Sequence, residues 1–341
     1  MTEAVHVPES VWTEAVSALR GPTDVVLACH VAPDGDALGS MLALARVLRA
    51  SGVDTTCTWG DERWAPPTSY SWLPDLDTVV RPSEALTSPS LLVVLDTSSR
   101  DRLGVLRDLP ERAGNVLVID HHAHNGEDAQ TQLPGVHVVD AAAAATAVLV
   151  EELLRRLDAP VDEITATLLY VGLVTDTGSF QHAVTTPAVH AVAGRLLAAG
   201  VRPDDVARHL WGTRPFAYQQ ILGNALTRAR LEPTAARGRG VVWTVVAQED
   251  LAGTGVGLDE VESVIDVVRS AREADVAVVL KEDVDGTFRV STRSRGATDV
   301  GAVCVALGGG GHRLAAGFTS HKDVDDTMRV ILDALDDAPA P

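Results

Sequence analysis

Val25-Val26-Leu27-Ala28-Cys29-His30-Val31-Ala32-Pro33-Asp34-Gly35-Asp36 opens as an apolar run and closes on an imidazole and two carboxylates. The run reads as a buried strand. From Asp36 to Ala50, the residues Leu38, Met41, Leu42, Ala45 and Leu48 share one helical face, and Gly52 marks the stop. The pattern recurs along the chain. Leu91 to Leu95, Val116 to Ile119 and Val136 to Val139 read as strands, with helices over Ala144 to Leu157 and Ile164 to Val174. Strands apolar on both faces and alternating with helices predict an α/β fold, a mostly parallel sheet covered by helices.

The remainder reads differently. Pro187 to Gly200, Asp204 to Trp211 and Pro215 to Leu231 are helical in pattern with no strand between them. Beyond a turn-rich break at Glu232 to Gly240, Val241 to Val246 starts a second set of elements. Val276 to Leu280, Phe288 to Thr292 and Val303 to Leu307 look like strands, and a helix near Val324 to Leu335 closes the chain. The expected division is a first domain over 1–200, a helical connector over 201–231 and a smaller α/β domain over 232–341. A length of 341 residues with 46% hydrophobic and 22% charged residues suits two domains.

The formal charge is −19, from 47 acidic and 28 basic residues. Such a chain is poorly suited to gripping long nucleic acid through its general field. An anionic substrate must be drawn locally, by bound cations and a few arginines. No run of about 18 apolar residues is present, so no membrane span is expected. Met1 to Gly21 carries Glu3, His6, Glu9 and Glu14 and does not read as a signal peptide. Cys29, Cys57 and Cys304 are too widely spaced for a disulfide framework or a zinc ribbon, and point to a reducing cytoplasm.

The acids sit at the ends of the apolar runs. Asp34 and Asp36 follow the first strand, Asp96 follows Leu95, Asp120 with His121 and His122 follows Ile119, and Asp176 closes Val171 to Thr175. Singly, each reads as a turn or helix cap, and Asp36 fits a cap of the helix that it precedes. Together they mean more. In an open parallel sheet these ends share one edge, where ligand sites form. So many carboxylates at one edge would repel each other unless a cation neutralised them. Two divalent metals meet that need; mixed carboxylate and imidazole donors suit Mn2+, with Mg2+, Co2+ or iron behind it. Cys29 should point away from the face of His30, which disfavours structural zinc.

The ordered set His30-x-x-x-Asp34-x-Asp36, Asp96, Asp120-His121-His122 with Asn125, and Asp176 resembles the motif series of the DHH phosphoesterase superfamily. Gly308-Gly309-Gly310-Gly311-His312, followed by Ala315-Ala316-Gly317, resembles the signature of its DHHA1 domain. The two-domain layout is similar to the bifunctional oligoribonuclease and pAp-phosphatase group (NrnA type), which includes actinobacterial phosphodiesterases of cyclic di-AMP and its linear dinucleotides. The manganese pyrophosphatases and RecJ-type exonucleases fit less well. One departure stands after Asp176, where Gly178-Ser179-Phe180-Gln181-His182 lacks a further aromatic or basic residue near its end.

The resemblance implies that His30 and Asp34 hold one metal, that Asp36, His121 and Asp176 hold the other, and that Asp96 bridges them. His122 would donate to a phosphate oxygen or the leaving group, and Asp120 would orient a neighbour. The active site would lie in the cleft between the domains. There Gly309, Gly310 and Gly311 would let backbone approach the ligand, and His312 would contact a phosphate or the reacting group. Arg289, Ser291 and Arg293 alternate along a strand and so share a face, where arginine can clamp a terminal phosphate; the alternative is a solvated strand face. The expected activity is hydrolysis of short oligoribonucleotides, linear dinucleotides such as pApA, and pAp to mononucleotides. Cyclic di-AMP is the alternative main substrate, and a non-catalytic nucleotide sensor is the alternative of another class. The expected assembly is a homodimer.

Overall fold

In the computed structural model, which describes residues 4–122 and 133–337, the first apolar run forms β1 (Asp24–Cys29) at the heart of a sheet. It is joined by β2 (Asp54–Trp59), β3 (Leu91–Leu95), β4 (Asn115–Asp120) and β5 (Val136–Val139). All pairings are parallel, in the order β2-β1-β3-β4-β5. Neighbouring positions on β1 serve two cores. Val25, Leu27 and Cys29 pack under the helices, whereas Val26 and Ala28 meet Leu103, Leu106 and Leu109 on the opposite face. That two-sided burial is why the strands read as continuous apolar runs. β2 was not anticipated; its Asp54-Thr55-Thr56 opening carries too little apolar character.

The helices of this unit are α1 (Glu9–Leu19), α2 (Gly35–Ala50), α3 (Thr146–Arg156), α4 (Glu163–Asp176), α5 (Pro187–Ala198) and the short α6 (Pro203–Ala207). Contact between α2 and α4 depends on glycine. A Cβ at Gly39 would stand 2.3 Å from Leu168 O, and one at Gly172 would stand 2.5 Å from Asp36 Oδ1. Any side chain at either position forces the helices apart.

The chain divides into two units, Met1–Gly212 and Thr213–Pro341. The second holds α7 (Phe216–Arg228), β6 (Arg230–Glu232), the single turns α8 (Ala235–Gly238) and α9 (Gln248–Leu251), β7 (Val241–Val246), α10 (Val264–Val268), β8 (Val276–Glu282) and β9 (Phe288–Ser294). α11 (Val300–Ala306), β10 (Gly310–His312), β11 (Ala315–Ser320) and α12 (Val324–Asp337) complete it. Its sheet runs β10-β11-β9-β8-β7-β6, with β7–β8 parallel and the other pairs antiparallel. Val276, Val278 and Leu280 of β8 face one core; Ala277 and Val279 face the other, with Val264, Ile265 and Val268 of α10.

The segment Val303 to Leu307, expected as a strand, is helical. Val300, Val303 and Cys304 are buried at helical spacing while Val305 is exposed, and Asp299 caps the start by accepting from Ala302 N–H. A short valine-rich run does not by itself distinguish strand from buried helix. Among the described residues, no helix is long and apolar enough to cross a membrane.

Candidate metal centre

The strand order reverses between β1 and β3: the chain leaves β1 for β2 on one side and builds β3 to β5 on the other. Such a switch point opens a crevice at the carboxyl ends of the strands. His30 follows β1, Asp96 follows β3, and Asp120 ends β4 with His121 and His122 behind it.

Asp96 is the hub. Its carboxylate lies 3.3 Å from His30 Nε2, 3.6 Å from His121 Nε2 and 3.7 Å from His122 Nδ1. It is 1% exposed and accepts from Thr146 Oγ1 at 2.8 Å. Its backbone sits at φ 62°, a left-handed conformation that costs a non-glycine residue about 1 kcal/mol or more. Burial, with Asp36 and Asp34 adding like-charge repulsion, raises its carboxyl well above the usual range.

Each imidazole is held by its other nitrogen. His30 Nδ1 donates to Val31 O at 2.8 Å, and His121 Nδ1 lies 3.3 Å from Ala143 O. Both arrangements turn Nε2 toward the carboxylates and, in the neutral ring, fix the tautomer that leaves it a lone pair. Burial lowers the His30 pKa, which keeps the ring neutral. His121 Nε2 lies 2.9 Å from Asp176 Oδ2 and 3.9 Å from Asp36 Oδ2, yet it has no hydrogen-bond partner of acceptable geometry. Burial opposes its charge, but Asp176 and Asp36 outweigh that and push it up to about 9.

The two acids of the first loop divide their work. Asp34 is the N-cap of α2, accepting from the amides of Asp36 and Ala37, and its side chain is half exposed. The cap expected for Asp36 therefore falls on Asp34. Asp36 is fully buried and reaches across to α3, where it accepts from Thr146 N at 2.6 Å and Ala147 N at 2.9 Å. It stands in for the cap that Ala145 cannot supply. Burial first, and then Asp176, raise its carboxyl to about 7.

Asp176 does not end a strand. It is the last residue of α4, because the run Val171 to Thr175 continues the helix. A carboxylate at the negative end of a helix is unfavourable unless a cation faces it. Asp120 is bonded to its neighbours instead of joining the hub. It accepts from Ser98 Oγ at 2.6 Å and from the backbone amide of His122, and lies 2.7 Å from His122 Nδ1. Burial works against its charge, but those bonds hold it below the usual range.

Three sets therefore have donor atoms close enough for one ion: His30, Asp34 and Asp96; Asp36, His121 and Asp176; and Asp96, His121 and His122. The donors fit a divalent metal. They are oxygen and imidazole only, burial and like charge disfavour ionisation of Asp36 and Asp96, and His121 Nε2 is an orphaned polar atom amid three carboxylates.

Sequence reasoning missed three contributors. Thr146 bonds Asp96 and Asp36, Ser98 bonds Asp120, and Asp61 accepts from Ala32 N to hold the first loop, where Ala32 has φ 51°. Thr146, the polar residue after Ala141 to Ala145, carried a faint signal; Ser98 and Asp61 carried none.

The candidate substrate residues lie in the second unit. Arg289, Ser291 and Arg293 do share a face of β9, and all three have partners there: Arg289 pairs with Asp283 at 3.0 Å, while Ser291 and Arg293 approach Glu262. The glycine run has structural duties. Gly308 and Gly309 close α11 by donating to Val305 O and Cys304 O, a Schellman ending. A Cβ on Gly309 would stand 2.2 Å from Gly317 O, and Gly311 has φ 136° against β11. Gly310 faces open space. Gly310 and Gly311 belong to the edge strand β10, where glycine gives up more conformational freedom than any other residue. His312 pairs through its backbone with Ala315, and its side chain lies outside the described residues, as does Asn125.

Comparison with known proteins gives the family. The model for the N-terminal domain of the DHH family matches residues 24–173, and that for the DHHA1 domain matches 240–338. The chain is 33% identical over 324 residues to the bifunctional oligoribonuclease and PAP phosphatase NrnA of Thermus thermophilus, covering 94% of this chain and 91% of that protein. The chain belongs to the DHH phosphoesterase family. A second relative, the cyclic-di-AMP phosphodiesterase GdpP of Geobacillus thermodenitrificans, is 28% identical over 99% of this chain and 51% of its own length. An exopolyphosphatase-related protein from Bacteroides fragilis shares the fold, with a TM-score of 0.88 at 20% identity over 99% of this chain and 98% of that one.

Proposed function

We propose that this DHH protein is a metal-dependent phosphoesterase that cleaves short oligoribonucleotides, linear dinucleotides and pAp to mononucleotides. The observation that carries the reading is the convergence of His30, His121 and His122 on the buried Asp96 at the switch point. The Thermus relative, matched along nearly its whole length, supports the substrate class. His30 and Asp34 would hold one ion, and Asp36, His121 and Asp176 the other, with Asp96 shared between them; the donor chemistry favours Mn2+. Bound there, divalent ions would lower the pKa of water so that it attacks phosphorus at neutral pH, and would offset charge on the phosphoryl oxygens.

The protein's own part is proton management and orientation. With Nδ1 engaged by Asp120, His122 exchanges protons with the substrate through Nε2, and its role is donation to the leaving oxygen. Ser98 keeps Asp120 in place for that purpose. The free, buried cysteines fit a reducing cytoplasm.

Hydrolysis of pAp, pApA and RNA of two to five nucleotides, with and without Mn2+, tests the reading. Wild-type turnover in Asp96→Ala would sink it. A second reading, cyclic di-AMP as main substrate, is favoured by the match to GdpP over almost all of this chain. Faster cleavage of the cyclic than of the linear dinucleotide would select it.

A further inference from the structure

Lys281 continues the alternation of Ala277 and Val279 on β8, so its stem points into an apolar layer, where it is 4% exposed. Burial, reinforced by Arg293 and Arg289, lowers its pKa to about 7. A lysine placed there needs an anion. Glu262 supplies one: its Oε2 is ion-paired to Lys281 Nζ, and its Oε1 accepts from Ser291 Oγ at 2.8 Å with Arg293 Nη2 at 3.6 Å. Lys281 also donates to Ser291 Oγ at 2.9 Å. One carboxylate is thus held at both oxygens by an ammonium, a hydroxyl and a guanidinium, the donor set that recognises oxyanions.

Holder and held differ in freedom. Lys281, Ser291 and Arg293 are fixed on adjacent strands. Glu262 comes from an irregular turn over 258–263, and its side chain is 43% exposed, so it leaves by rotating into water without unpacking the sheet. The charges do not balance. Three basic side chains, Lys281, Arg289 and Arg293, face the two carboxylates of Glu262 and Asp283, while Asp266 and Arg269 nearby pair with each other. A dianion matches this pocket better than a single carboxylate does.

We propose that Lys281, Ser291 and Arg293 form a receptor for a phosphate monoester, and that Glu262 is its internal placeholder, expelled when the phosphate enters. The proposal rests on the reading of the β9 face as substrate-contacting and adds what occupies that face before substrate arrives. Such a pocket favours nucleotides with a terminal phosphate over those without one.

The test is equilibrium binding of adenosine 5′-monophosphate and of adenosine to the full chain with divalent metals chelated. Glu262→Gln should bind the monophosphate about tenfold more tightly than wild type, and Lys281→Met about tenfold less tightly, with adenosine unchanged in both. Glu262→Gln strands the Lys281 charge and can lower stability. Thermal melts with and without inorganic phosphate cover that case, and phosphate should raise the Tm of this variant more than that of wild type. Equal affinities in Glu262→Gln and wild type, or equal tightening of adenosine, would overturn the proposal. Because no metal or turnover is involved, this result stands apart from any failure of Mn2+-dependent hydrolysis.

Discussion

Thr146 donates its hydroxyl to Asp96 at 2.8 Å and its backbone amide to Asp36 at 2.6 Å, so one residue at the start of α3 ties together two buried carboxylates. Thr146→Val keeps the shape and the amide but removes the hydroxyl. A carboxylate that loses its orienting partner commonly costs 10–100-fold in metal affinity or activity. Thr146→Val should therefore raise the Mn2+ concentration needed for half-maximal activity by roughly that factor, and Thr146→Ser should restore it. An unchanged metal titration in the valine variant would refute the positioning role.

Asp96 is unfavourable in the metal-free protein, being buried, crowded by acids and left-handed in backbone. Asn keeps the shape, drops the charge and tolerates this backbone better. Asp96→Asn should raise the metal-free Tm while abolishing turnover, with a stability gain on the order of 1–3 kcal/mol. Calorimetry with and without Mn2+ checks both halves, since wild type should gain stability from the metal and the variant should not.

The pH dependence of the metal-free protein follows from Asp36, at about 7, and His121, at about 9. Both lie above their unfolded values, so the folded state holds more protons than the unfolded state between about pH 4 and 9. Stability then falls as pH rises through 7 and on through 9. Tm in chelator should decline from pH 5 to 9, and saturating Mn2+ should flatten the decline by keeping these groups deprotonated. A metal-free Tm that rises over this range would contradict the assignment.

Gly172 and Gly310 separate a tightly packed glycine from an open one. A Cβ at Gly172 meets Asp36 Oδ1 at 2.5 Å and Ala147 Cβ at 2.9 Å, whereas one at Gly310 meets nothing within 4 Å. Gly172→Ala should cost about 1–3 kcal/mol in urea denaturation and displace Asp36, lowering activity as well. Gly310→Ala should leave stability within roughly 0.5 kcal/mol and raise KM only if substrate approaches that backbone.

Much of the fold was legible because burial on both faces writes itself as unbroken apolar runs. β1, β3, β4 and β8 all declare themselves that way, whereas β5, a half-buried edge strand interrupted by His137, is marked only by its valines. β2, β6 and β11 do not declare themselves. Thr and Gly dilute β2 and β11, and β6 is a three-residue edge strand, so their pairing depends on neighbours supplied by the rest of the chain. α11 was misread because Val300 to Ala306 is too short for periodicity to decide, and only the cap from Asp299 and the layer above it made it a helix.

The sequence by itself determined which residue types gather at the sheet edge, since chain order and strand ends deliver His30, Asp96, Asp120 and the two histidines wherever the strands lie side by side. Tertiary structure decided what each one does there. Only the packing of α2 on α4 brings Asp36 and Asp176 to His121, and only α3 brings Thr146 to Asp96. The longest of those contacts joins Asp36 to His121, 85 residues apart in the sequence. No local pattern encodes them, because they depend on the space that glycine leaves between helices and on where buried charge finds a partner.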